Sequence, residues 1–152
     1  MSYAIDVTRT PIRVRTLGGQ EFDATVFIHP VGHADYRSES VGDRLNDPDT
    51  HFLPCEIEGE SQLVRLTSVS YVVMSEPTPE VESLETVGAI RSPVALWLKS
   101  GDRLQGDFLY EAKRGEERVS DMLNRTDNRF LVFMDGQTTY FVLRDAVDRV
   151  QL

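Results

Sequence analysis

The sequence predicts an all-β fold: two tandem small barrels of about five strands each, packed with approximate twofold symmetry. Three observations predict it. They are a long internal repeat, period-two alternation of apolar residues within each copy, and glycine-centred turns between the alternating runs.

The repeat is read directly. Val41-Gly42-Asp43-Arg44-Leu45-Asn46 and then Phe52-Leu53 return as Val119-Ser120-Asp121-Met122-Leu123-Asn124 and Phe130-Leu131, each 78 positions after its counterpart. The same shift carries Val69 to Val147 and Val72 to Val150. Upstream, Pro11 to Val14 match Pro93 to Leu96, and Gly19 matches Gly101, with a shift of 82. The first copy therefore holds a loop longer by four residues, between Phe27 and Val41, containing His29, Pro30, Gly32 and His33.

Each copy reads as strands in the same order. Ile12, Val14 and Thr16 alternate with Arg13 and Arg15, as a half-buried strand requires. Gly18-Gly19 then turns the chain into Phe22, Ala24 and Val26. In the second copy Val94, Leu96 and Leu98 precede Ser100-Gly101-Asp102, after which Leu104, Gly106, Phe108 and Tyr110 share a face. A turn-like segment centred on Asp43 or Asp121 follows. Phe52 to Cys55 and Phe130 to Phe133 open another hairpin, turning at Gly59 and at Asp135-Gly136. Leu63 to Leu66 and Tyr140 to Leu143 return, and short strands near Val69 to Val73 and Val147 to Val150 close each barrel. The repeat places Ile12, Val14, Phe22, Val26, Leu45, Phe52 and Leu63 at the core positions that Val94, Leu96, Leu104, Phe108, Leu123, Phe130 and Phe141 occupy in the second copy.

Residues 1–75 form the first copy, 76–90 an acidic proline-containing linker and 91–152 the second copy. Ser75 to Glu80, with Pro77 and Pro79, reads as an extended spacer, whereas Val81 to Gly88 has apolar residues spaced for one or two helical turns. A six-residue spacer at about 3.1 Å per residue reaches about 19 Å, one small barrel's width. Domains of about 60 residues are marginal alone, so the copies are expected to pack together and unfold as one. Large aromatics gather in the second copy, which is expected to anchor stability.

Composition narrows the function. The chain has 152 residues, 40% hydrophobic and 27% charged, in the ordinary globular range. With 16 Lys and Arg against 25 Asp and Glu, its net charge of -9 opposes nucleic acid and anionic membranes. No run approaches the ~20 apolar residues of a membrane span, and the start lacks a leader pattern, so a cytoplasmic protein is expected. Cys55, the only cysteine, allows neither an internal disulfide nor a thiolate zinc cage.

Gly101, Gly106, Phe108, then Asp121, Leu123 and Asn124, and Leu143-Arg144 before Val147 and Val150, resemble the two motif blocks of Sm-like barrels. In that family the acidic residue lies four positions before the asparagine, and glycine follows the closing arginine. Here Asp121 and Asn124 are three apart, and Asp145 follows Arg144. Both departures fall where Sm proteins contact RNA, so the resemblance implies an Sm-like or SH3-like fold more than RNA binding. The segment around Asp121 also looks like a group of uncharacterised bacterial small-barrel domains.

Candidate sites are few. Gly18-Gly19-Gln20 resembles the release-factor GGQ loop, but the second copy keeps only the turn glycine, so a hairpin turn is the better reading. His29, His33 and Asp35, with His51 and Cys55, offer metal-ligating atoms without a selective spacing; no metal or other cofactor is predicted. Arg114 and Arg118 resemble the R-x-x-x-R start of the cyclic-dinucleotide motif of PilZ domains, whose second half is missing here. Asp43 with Asn46, and Asp121 with Asn124, are polar pairs repeated in register. Local caps explain them, the aspartate starting a helical turn and the asparagine ending it in the left-handed conformation. No catalytic constellation is present in the sequence, so a non-enzymatic interaction or scaffold module is expected, engaging a protein partner through a barrel edge. Self-association is left open. Nucleotide binding at Arg114 and Arg118 is the first alternative and Sm-like RNA binding the second.

Overall fold

The structure, a computed structural model, describes residues 8–28, 39–75, 78–115 and 117–152. In the first half β1 (Thr8–Thr16), β2 (Glu21–Ile28), helix α1 (Val41–Asn46), β3 (Phe52–Ile57), β4 (Glu60–Arg65) and β5 (Val69–Met74) follow one another. Helix α2 (Pro79–Thr86) leads to β6 (Ile90–Leu98), β7 (Arg103–Tyr110), α3 (Val119–Arg125), β8 (Phe130–Asp135), β9 (Thr138–Leu143) and β10 (Val147–Gln151). The fold is all-β, with ten antiparallel strands among the described residues in one continuous sheet of order β10-β6-β7-β8-β9-β5-β1-β2-β3-β4.

The local causes match the sequence pattern. Ile12 and Val14 are buried on β1 while Arg13 faces out to Asp23 across the β1–β2 pair. Gly19 takes φ 86° in the turn between these strands, and Gly101 takes φ 91° in the equivalent turn. Both turns are closed alike: Thr16 N–H donates to Gln20 and Leu98 N–H to Asp102. Two further backbone bonds repeat in the same way. Leu17 N–H meets Ser68 and Lys99 N–H meets Ala146; Leu66 N–H meets His51 and Arg144 N–H meets Arg129. In both halves one turn of 3₁₀ helix, Leu66–Ser68 or Arg144–Ala146, precedes the last strand. Gly106 of β7 passes so close to β8 that a Cβ there would meet the Met134 carbonyl and the Phe133 ring. Only glycine fits.

The halves join through β5 and β9, in the register Tyr71–Val142, Val72–Phe141, Val73–Tyr140 and Met74–Thr139. This corrects the expected twofold arrangement. A twofold joint meets itself reciprocally, whereas here the fifth strand of the first half meets the fourth strand of the second, and β4 and β10 end opposite edges of the sheet. The cores also cross the joint: Phe130, Phe141, Leu143 and Ala146 belong to the cluster built on Ile12, Val26, Leu45 and Leu66. The second half keeps a separate cluster around Phe108, Phe133 and Leu96, and a small third one packs Val81 of α2 on Leu109 and Met134.

Two expected core positions are not core. Phe52 is 42% and Leu63 68% exposed, whereas their counterparts Phe130 and Phe141 are 1% and 0% exposed. The reason is position in the sheet. β9 is covered by β5, while β4 is a terminal strand with only β3 beside it among the described residues. The linker needs a second correction, because α2 begins at Pro79, inside the stretch read as extended spacer. Thr78 accepts from Val81 N–H, Pro79 occupies the first turn, and Glu80 and Glu82 favour the helix N-terminus.

Candidate functional site

The repeated Asp and Asn residues part company in the structure. Ser40 accepts from Asp43 N–H at 3.1 Å and Asp43 accepts from Ser40 N–H at 3.1 Å, a reciprocal cap that starts α1. Asn46, three residues on, faces the other half. Its Oδ1 accepts from Phe130 N–H at 2.8 Å and its Nδ2 donates to Phe130 C=O at 3.2 Å, so one amide clamps both backbone groups of a β8 residue. The expectation that Asn46 ends its helix in the left-handed conformation is corrected, since Glu58 is the one non-glycine residue with positive φ among the described residues.

Arg129 ties the same seam from the opposite side. Its Nη2 lies 2.9, 2.8 and 2.7 Å from the carbonyls of Leu45, Asp47 and Thr50, at the end of α1 and in the turn that follows. At the far end of the joint Arg15 of β1 makes a two-pronged pair with Asp102, at 2.8 and 3.2 Å, and Ser100 links Asp102 to Ser70. The hydrogen bond and the charge of Asp102 raise the Arg15 pKa above its ordinary value. Tyr71, beside them on β5, has its pKa pushed up to about 12, by burial first and by Asp102 next. Sequence reasoning missed Arg15, Asp102 and Arg129. The shift of 82 that aligns Arg15 with Trp97, and the shift of 78 that aligns Arg129 with His51, were the available signals that these residues serve one half only.

A cleft of about 790 Å³ lies among α1, α2 and α3 and is lined by Asp43, Asn46, Glu80, Asp121 and Arg125, among others. Some of its polar groups hold the helices together. Glu80 Oε1 accepts from Gly42 N–H at 2.9 Å, docking α2 on α1, while Glu80 Oε2 has no hydrogen-bond partner among the described residues. Asp121 is nearly buried and accepts from Arg118 Nε at 3.3 Å. Arg118 is otherwise 82% exposed, and Arg114 sits on an exposed turn. Neither lines this cleft. Asn124 is exposed on α3, with no hydrogen-bond partner among the described residues. Gly18 to Gln20 form a hairpin turn. His29, His33 and Asp35 lie outside the described residues, and Cys55 is buried on β3, which pushes its thiol pKa up.

What remains chemically open is backbone. Among the described residues β4 has a strand on one side only; it carries the exposed Leu63, and Phe52 of the neighbouring β3 lies under the Arg65 guanidinium, 4.5 Å from the ring centroid. β10 is the other open edge among the described residues. No family model, curated protein or solved structure matches the chain.

Proposed function

We propose that this chain is a non-enzymatic protein-interaction or scaffold module, built from two copies of an Sm-like or SH3-like small barrel, that binds its partner by strand addition at an open sheet edge. The observation that carries this reading is β4: a terminal strand among the described residues, whose apolar residue Leu63 is 68% exposed where its counterpart Phe141, on a strand paired to β5, is fully buried. An extended partner satisfies the free N–H and C=O groups of such an edge, and alternate side chains then set specificity. Leu63 supplies the apolar contact; Glu58, Glu60 and Arg65 frame it with charge.

The test is a selection of extended peptides against the intact chain, followed by amide hydrogen exchange on each complex. Protection is expected along Glu60–Arg65, with binding lost in Leu63→Lys. Peptides that protect α1, α2 and α3 instead, and bind Leu63→Lys unchanged, would place recognition in the cleft and overturn the edge reading.

A further inference from the structure

We propose that the partner of the β4 edge is the β10 edge of a second copy of this chain, so that chains assemble head to tail through a repetition of the joint that already links the two halves. The proposal rests on the edge-binding reading above and names the occupant of that edge.

The internal joint is the template. It is heterologous, fifth strand on fourth strand, and such a joint used once within a chain leaves one unused fourth strand and one unused fifth strand. These are β4 and β10, the two ends of the sheet among the described residues. Carrying the β5–β9 register across by the repeat shift sets Arg149, Val150, Gln151 and Leu152 of one chain opposite Val64, Leu63, Gln62 and Ser61 of the next. Val150 thereby lies beside Leu63 as Val72 lies beside Phe141. Among the described residues, Leu63 is an exposed large apolar residue on the β4 edge itself, and the exposed Phe52 is on β3 next to it.

A second feature, independent of the strands, points the same way. Asn46 clamps the Phe130 backbone across the internal joint. The side chain of its counterpart Asn124 is exposed on α3 without a hydrogen bond among the described residues, and the counterpart of Phe130 is Phe52. β2 meets β3 only at Cys55 and Glu56, which leaves Phe52 beyond its reach. In the head-to-tail contact Asn124 of one chain reaches the Phe52 backbone of the next and makes the two bonds it lacks.

The outer joint is weaker than the inner one. Trp97 and Gln20 stand where Arg15 and Asp102 pair inside, and His51 stands where Arg129 does. A net charge of -9 also sets the chains against each other. Association is therefore reversible and grows with concentration, and it strengthens as ionic strength rises from about 0.01 to about 0.15 M, where the Debye length falls from about 30 to about 8 Å. Rotation at each joint decides whether the series closes into a ring or extends as a fibre.

The experiment is sedimentation velocity and native mass spectrometry on the full chain and two edge variants. Leu63→Lys blocks the β4 edge; Asn124→Ala with Leu152→Lys blocks the β10 side. All three positions are exposed, and circular dichroism and a melting curve check that each variant folds. Expected are oligomers larger than a dimer for the natural chain, monomers for each variant alone, and a one-to-one dimer when the two variants are mixed, because each retains the edge the other has lost. Asn124→Ala alone weakens association about tenfold, the loss of two hydrogen bonds to backbone. A natural chain that stays monomeric to millimolar concentration, or either variant dimerising by itself, overturns the proposal. If the monomeric chain still binds extended peptide along β4, only self-assembly falls; if it binds none, the edge-binding reading falls with it.

Discussion

Phe141 and Leu63 occupy equivalent places in the two halves, and truncating each to alanine separates the cost of the joint from the cost of the strand. Phe141 is fully buried, lies between Val72 of β5 and Val132 of β8, and belongs to the cluster of the first half although the second half supplies it. Removing a buried phenylalanine ring costs about 3–5 kcal/mol, a large share of the 5–15 kcal/mol typical of a whole domain. Leu63→Ala, at a surface position, shifts stability by no more than about 0.5 kcal/mol in solutions dilute enough to hold the chain as a monomer. Urea unfolding reads both. With a slope of about 2 kcal/mol per molar, Phe141→Ala lowers the midpoint by about 2 M and Leu63→Ala leaves it in place. Trp97 of β6 reports the second half by fluorescence, and far-ultraviolet dichroism reports every strand. The two signals should move together in Phe141→Ala, because the clusters share β8 and β9. A loss below about 1 kcal/mol, or a dichroism transition that separates from the tryptophan transition, would refute the claim that the second half completes the core of the first.

Two further outcomes follow from the seam. Arg129→Ala strips the charged donor from three carbonyls and costs about 2–3 kcal/mol, with faster amide exchange in α1; Arg129→Lys restores part of it, because all three bonds come from one nitrogen and an ammonium carries three protons. Tyr71 has a folded pKa of about 12, above its ordinary 10.0. Its contribution is therefore complete below pH about 10 and is lost as pH rises toward 12, so Tyr71→Phe should flatten the alkaline fall in melting temperature. An unchanged alkaline limb in that variant would show that Tyr71 ionises without opening the joint.

The strand order of each half was legible because alternation and turn glycines are local. Ile12 and Val14 against Arg13, or Gly19 and Gly101 at matching turns, need no knowledge of the rest of the chain. The 78-residue repeat carried the same order to the second half, down to paired backbone bonds such as those of Leu66 and Arg144. What the repeat could not convey is which copy of a strand lies inside the sheet. Phe52 and Phe130 look alike in sequence, yet one borders an end strand and the other sits at the seam, because a tandem pair uses each kind of edge once and leaves the other bare. The expected twofold axis failed for the same reason. Asn46 reads as a local cap because asparagine can end a helical turn in the left-handed conformation, and only the meeting of α1 with β8 shows its amide spent on another segment. The start of α2 was readable after all: Thr78-Pro79-Glu80 is a cap, a first-turn proline and an acidic first turn, outweighed in the sequence reading by the stiffness attributed to two prolines.

The tether between β5 and β6 has a consequence for how strong each joint must be. Only Ser75 to Ala89 separate the strand that ends the first half from the strand that begins the second, and α2 takes up part of that length while docked on Gly42 through Glu80. A short covalent connection holds two binding surfaces at an effective concentration in the millimolar range, so β5 meets β9 even if their intrinsic affinity is modest. The β4 and β10 edges have no such tether and experience only the concentration of the protein around them. A chain with identical inner and outer contacts would thus close its own seam long before it found a neighbour. Relieving the tether, by lengthening the segment after Ser75 with flexible residues, should narrow that gap and let second halves exchange between molecules.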